Sequence, residues 1–91
     1  MLRIELATLV VKPIKRLPAK HALQIKTKLQ LLAADPEPPD SLQMKDKAAK
    51  FRRADSGEYR IIYRVEENAL KVATVGNRND DKVYRDFERK L

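Results

Sequence analysis

Between Ala48 and Gly76 the chain falls into three runs with a side-chain period of two, AAKFRR, EYRIIYRV and ALKVATVG, separated only by ADSG and EEN. Parallel neighbours need a crossover of a dozen or more residues, so connections this short leave an antiparallel meander. In the middle run Tyr59, Ile61, Tyr63 and Val65 make one face, and Arg60, Ile62 and Arg64 make the other. The first face is fit for a core. Phe51 in the preceding run is expected to join it, which turns Lys50 and Arg52 toward the face that holds the arginines.

What precedes the meander is mostly helical. MLRIEL alternates Leu2, Ile4 and Leu6 with Arg3 and Glu5, the pattern of a short strand with one buried face. Pro13 is placed in the first turn of a short helix that runs to about Leu17, and Pro18 opens a second. That second helix, PAKHALQIKTKLQLLAAD, carries Ala22, Ile25, Leu29 and Leu32 at spacings of three and four, with lysines and glutamines largely elsewhere around it. Pro36, Pro38 and Pro39 break the chain into a loop, and KVYRDFERKL closes it as a helical turn or two with Val83, Phe87 and Leu91 on one side. The expected architecture is a single α+β domain over residues 1–91: an N-terminal strand, a two-helix hairpin packed on one face of an antiparallel sheet, and a short C-terminal helix. The other sheet face is expected to stay open.

Composition removes several chemistries. No cysteine exists, so disulfides, thiolate nucleophiles and thiolate metal sites are excluded, and the lone histidine, His21, reads as a surface or interfacial side chain. The only glycines, Gly57 and Gly76, sit at strand ends, so there is no Gly-rich phosphate loop. Glu66 with Glu67 and Asp80 with Asp81 are turn carboxylates that nothing marks as a metal cage. No apolar run is long enough to span a bilayer and MLRIELATLVVK lacks the features of a signal peptide, so the cytoplasm is the expected compartment and neither metal, cofactor nor membrane is expected. Twenty Lys and Arg against thirteen Asp and Glu give +7, which favours a polyanionic partner.

The remaining cluster holds cations and a phenol: Lys50, Arg52, Arg60, Arg64, Arg78 and Tyr84. Guanidinium groups bind a phosphodiester through charge and forked hydrogen bonds. RNA brings its own nucleophile, the ribose 2′-hydroxyl, so cleavage asks only for a proton acceptor, charge stabilisation at phosphorus and a proton for the leaving 5′-oxygen. Lys50 crowded by Arg52 and Arg60 is the candidate acceptor, because one positive charge disfavours another beside it. Solvated cations on a sheet face are ordinary too, so pattern alone leaves binding and catalysis both open. Tyr59 and Tyr63 read as core residues, and Tyr84 either stacks on a base or pins the terminal helix.

The segment FRRADSGEYRIIYRVEENALKVATVGNRNDDKVYR, with SGEYRIIYRV and VGNR followed by VY as its characteristic pieces, resembles the C-terminal half of RelE toxins of the RelE/ParE superfamily. The resemblance implies the α+β fold above, a cognate antitoxin protein as partner, and cleavage of mRNA in the ribosomal A site by 2′-hydroxyl attack without a metal. It implies Lys50 as base, Arg52 and Arg60 as phosphate and transition-state stabilisers, Arg78 beside the leaving oxygen and Tyr84 stacked on a base. Arg53, Arg64 and Lys82 are taken as further RNA contacts. Three departures stand out: the turn ADSGE is one residue longer than in the RelE-like form, Arg52 replaces a lysine, and Asn77 and Asp80 stand where that form is basic. A ParE-like toxin, which inhibits DNA gyrase by binding, has the same fold, and a non-catalytic basic RNA-binding module is a third reading. The nuclease reading, as the resemblance frames it, requires residues 50, 52 and 60 to project together from the uncovered side of the sheet.

Overall fold

The structure, a computed structural model, describes residues 1–89. Its elements in order are β1 (Arg3–Leu6), α1 (Thr8–Lys15), α2 (Ala19–Ala34), β2 (Leu42–Gln43), a 3-10 turn (Asp46–Ala48), β3 (Arg52–Ser56), β4 (Tyr59–Glu66), β5 (Ala69–Asn77) and α3 (Lys82–Glu88). The strands form one sheet in the order β1-β5-β4-β3-β2. The expected meander is its centre, and β1 adds to β5 in parallel, so the sheet is mixed.

Both hairpin turns have two residues, for reasons written in the sequence. Ser56 pairs with Tyr59 across Gly57 and Glu58, and Gly57 has φ +58°, the positive value that a primed turn places at its first central position. Glu66 pairs with Ala69 across Glu67 and Asn68, both at positive φ, where asparagine is the best tolerated residue after glycine. The first turn is thus Gly57–Glu58 rather than ADSG, and β3 starts at Arg52 and runs through Ala54 and Asp55. That turn fixes which residues of β3 and β4 stand directly opposite one another.

Helices α1 and α2 cover one face of the sheet. Val10, Ile25, Leu29 and Leu32 pack there on Ala54, Ile61, Tyr63, Leu70 and Val72. A fully buried leucine or isoleucine of this kind contributes roughly 1.5–3 kcal/mol. The opposite face is not open as expected: Val83 and Phe87 of α3 pack on Ile62 and Phe51, with Ala48 beside them. Phe51 therefore belongs to this second core and not to the helical one. Leu91, expected on the apolar side of the terminal helix, lies outside the described residues.

Three further expectations are corrected. Ile4 and Leu6 are 39% and 38% exposed, because β1 is an edge strand that lines the rim of an apolar groove with Ile14, Ala22 and Leu23 instead of lying beneath the helices. Val65 is likewise 47% exposed at the far end of β4. Pro13 sits inside α1, not in its first turn. The bond it omits is the one to the Leu9 carbonyl, on the exposed side of the helix where water substitutes.

Candidate functional site

The second sheet face gathers cations around a phenol. Direct cross-strand partners share a face, and Asp55 stands opposite Arg60 while Arg53 stands opposite Ile62. Arg53, Asp55, Arg60 and Ile62 therefore point the same way, toward α3, whose Tyr84 packs at the edge of the second core. The Tyr84 hydroxyl oxygen accepts from Nη1 of Arg53 at 2.6 Å and also from Nη1 of Arg60. The Arg60 guanidinium carbon lies 5.7 Å from the Tyr84 ring centroid. On its other edge Arg60 grips Asp55 with both atoms of a fork, Nε to Oδ1 at 2.7 Å and Nη2 to Oδ2 at 3.2 Å.

Charge at this cluster is mutually reinforced. The hydrogen bond from Arg60 holds the Asp55 carboxyl below the usual aspartate range, with the charges of Arg60, Arg78 and Arg53 acting the same way and burial opposing them. The same bond, aided by Tyr84, holds Arg60 more firmly protonated than usual. A carboxylate whose folded value is depressed contributes stability that is complete above the unfolded value near 3.8 and is lost as pH falls through the lower folded value. Stability is accordingly expected to drop below about pH 4, and Asp55→Asn to flatten that acid limb. Urea midpoints measured between about pH 6 and pH 2 check it, and identical acid limbs in the two proteins would refute the pairing.

The other residues singled out from the sequence are distributed differently. Arg52 stands opposite Tyr63, which places it on the helical side. There it donates to Ser41 Oγ through Nε at 3.1 Å and Nη2 at 2.9 Å, and lies 3.8 Å from Glu37. The facing expected for Arg52 is corrected, and the cause is Phe51, which packs in the second core and not against α1 and α2, so the alternation counted from it is reversed. Lys50 lies in the turn before β3, its ammonium 5.9 Å from the Phe51 ring centroid. Arg64 flanks that same ring at 5.9 Å and pairs with Glu66. Lys50, Arg52 and Arg64 line a cavity of about 440 Å³ together with acidic Asp35 and Glu37, apart from the Tyr84 cluster.

Arg78 follows β5, exposed, with its backbone N–H bonded to the Glu58 carbonyl and its charge felt by Asp55. Lys82 opens α3, exposed. Of the expected set the fold thus brings together Arg60, Tyr84 and, by charge, Arg78, joins to them Arg53, expected as a further RNA contact, and separates Arg52 and Lys50 from them. The requirement that residues 50, 52 and 60 project together from an uncovered face is therefore not met. Asp55 was not singled out from the sequence at all. Its signal was its position two residues before Gly57, which a two-residue turn sets opposite Arg60.

Arg52→Ala is expected to cost about 1–2 kcal/mol, since it strands buried Ser41 without its charged donor, and to leave any activity of the Tyr84 cluster unchanged. Denaturant melts alongside an activity assay read the two effects separately. Chemically, the cluster offers two guanidinium groups that grip an anion, a phenol held in place by both, and a carboxylate. His21 is elsewhere, its Nδ1 2.8 Å from the Tyr59 hydroxyl across α2 and β4, as an interfacial side chain. Among the described residues no three His, Cys, Asp or Glu group as metal ligands, and no helix is long and apolar enough to cross a membrane.

Residues 4–82 match the family described as the ParE toxin of type II toxin-antitoxin system, parDE. Among solved structures, the RelE–RelB complex from the archaeon Pyrococcus horikoshii is similar at 25% identity and a TM-score of 0.73, over 85% of this chain and 94% of the matched one. A mutant of Escherichia coli toxin RelE in the free state is 18% identical with a TM-score of 0.69, over 99% and 97% of the two chains. A YoeB/ParE toxin from Agrobacterium tumefaciens is 17% identical with a TM-score of 0.67, over 78% and 92%. The last two likenesses are of fold. No curated protein matches the sequence.

Proposed function

Because the chain belongs to the ParE toxin family of the RelE/ParE toxin-antitoxin superfamily, we propose that it is the toxin of such a pair and cuts messenger RNA in the ribosomal A site by 2′-hydroxyl attack. A cognate antitoxin protein is its partner, in keeping with the likeness to a toxin solved as a RelE–RelB complex. The observation that carries the nuclease reading is the convergence of Arg53 and Arg60 on the hydroxyl of Tyr84. Arg53 here takes the place first assigned to Arg52. The 2′-oxygen forms its bond to phosphorus as the bond to the 5′-oxygen breaks, and the negative charge that builds on the phosphoryl oxygens meets Arg53 and Arg60. Arg78 steadies the departing oxygen by charge, and Tyr84, fixed by two donors, sets the orientation. Among the described residues no lysine or histidine is bonded into the cluster, and in this reading the 2′-hydroxyl gives its proton to water and water supplies one to the leaving group. Rate enhancement then rests on orientation and charge, without a protein base.

The absence of a lysine or histidine from the cluster among the described residues, with its one carboxylate tied up by Arg60, favours a second reading, a ParE-like toxin that inhibits DNA gyrase by binding and does no RNA chemistry. Primer extension on a translated message separates the two. Cuts inside codons that vanish in Arg60→Ala and Arg53→Ala but persist in Lys50→Ala support the nuclease. Growth arrest with intact messages and altered DNA topology supports the gyrase binder, and binding to ribosomes with neither effect leaves a plain RNA-binding module.

A further inference from the structure

The fork of Arg60 that a phosphate group would take is already filled. Asp55 presents its two carboxylate oxygens to Nε and Nη2 at 2.7 and 3.2 Å, the side-by-side arrangement that two phosphate oxygens also adopt on a guanidinium. The position also attracts anions, since the charges of Arg60, Arg78 and Arg53 all act on it. Asp55 is the more exposed of the pair: its side chain is 37% exposed against 19% for Arg60. A rotation of its short side chain into solvent therefore vacates the fork without opening either core.

We propose that Asp55 is a resident anion in the phosphate fork of Arg60, displaced by the incoming phosphodiester, and that it sets how tightly the site takes its substrate. The inference rests on the proposed reading of this cluster as a phosphodiester site. Phosphate binding becomes an exchange of one anion for another, and the intrinsic affinity is held below what the guanidinium groups alone would give. An isolated phosphate meets the full competition of Asp55. RNA that also engages neighbouring contacts overcomes it, which biases the site toward substrate already positioned.

Titration of the full-length protein with inorganic pyrophosphate, followed through arginine Nε–H resonances, tests this without reference to RNA cleavage. Asp55→Asn and Asp55→Ser are each expected to bind about 5- to 10-fold more tightly than wild type at moderate salt, a difference of about 1–1.4 kcal/mol. The gain should vanish in an Arg60→Ala background, as direct coupling requires. Glu58→Gln, which removes an exposed turn carboxylate outside the cluster, should change affinity less than about twofold because solvent and salt screen it. Binding seen only after Asp55 is replaced also supports the exchange. Equal or weaker binding in both Asp55 variants, no binding in any protein, or a gain that persists without Arg60 overturns it. Uncut messages together with the predicted pyrophosphate gains would count against the nuclease reading and leave the exchange standing.

Discussion

Arg60→Ala is expected to lower codon-internal cutting of a translated message by roughly 100- to 1000-fold, the scale seen when a donor aimed at developing negative charge is removed. Arg60 is the side chain that joins the two halves of the cluster, Asp55 on one edge and Tyr84 on the other. Without it Tyr84 keeps, among the described residues, only Arg53 as donor, and Asp55 is left facing the substrate phosphate without its hydrogen-bonded partner. Lysine is a poor substitute, because an ammonium cannot serve the Asp55 fork and the phenol together, so Arg60→Lys should recover little. The fold itself should survive, since a partly exposed pair of this kind is worth about 1 kcal/mol or less. Primer extension paired with a denaturant melt distinguishes lost chemistry from lost structure. A folded Arg60→Ala protein that still cuts at the wild-type rate would show the cluster to be irrelevant to the reaction.

The sequence made some of these relations legible and hid others for identifiable reasons. The meander could be read because its connections were too short for anything else, and α2 because Ile25, Leu29 and Leu32 repeat at helical spacing and are all buried. The terminal helix was visible in Val83 and Phe87 for the same reason. The faces of β3 were not legible, because Phe51 could join either core and the facing of its neighbours is counted from it. Phe51 packs under α3 in the second core, so the same alternation puts Arg53, not Arg52, with Arg60. The two-residue turn, with Gly57 at positive φ, then makes Asp55 the residue directly opposite Arg60. The exposure of Ile4 and Leu6 lay beyond local pattern for another reason. It depends on β1 joining the sheet at an edge, which is a property of topology rather than of MLRIEL.

Phe87→Ala is expected to be the most damaging substitution outside the cluster, costing about 3–5 kcal/mol by the loss of a buried aromatic and the cavity left behind. Phe87 is 1% exposed and meets Phe51 edge to face at 4.8 Å between centroids, over Ile62 and beside Val83. A domain of this size has only about 5–13 kcal/mol in total, so much of it would be gone. The site should suffer beyond the loss of stability. Helix α3 has seven residues and, beyond the Asp80 carboxylate that accepts from the Lys82 N–H at its start, is too short to persist on local bonding, so packing keeps it in place. Gly76 shows how close that packing is, since a Cβ there would lie 3.1 Å from the Cβ of Val83. Because α3 carries Tyr84, loosening it withdraws the phenol from Arg53 and Arg60. Phe87→Leu, which keeps more of the volume, should cost less and retain more cutting. Urea melts and cutting rates at a temperature where both variants remain folded provide the check. A Phe87→Ala protein within about 1 kcal/mol of wild type would mean that α3 is held by something other than this aromatic contact, and the link from the second core to the position of Tyr84 would fail with it.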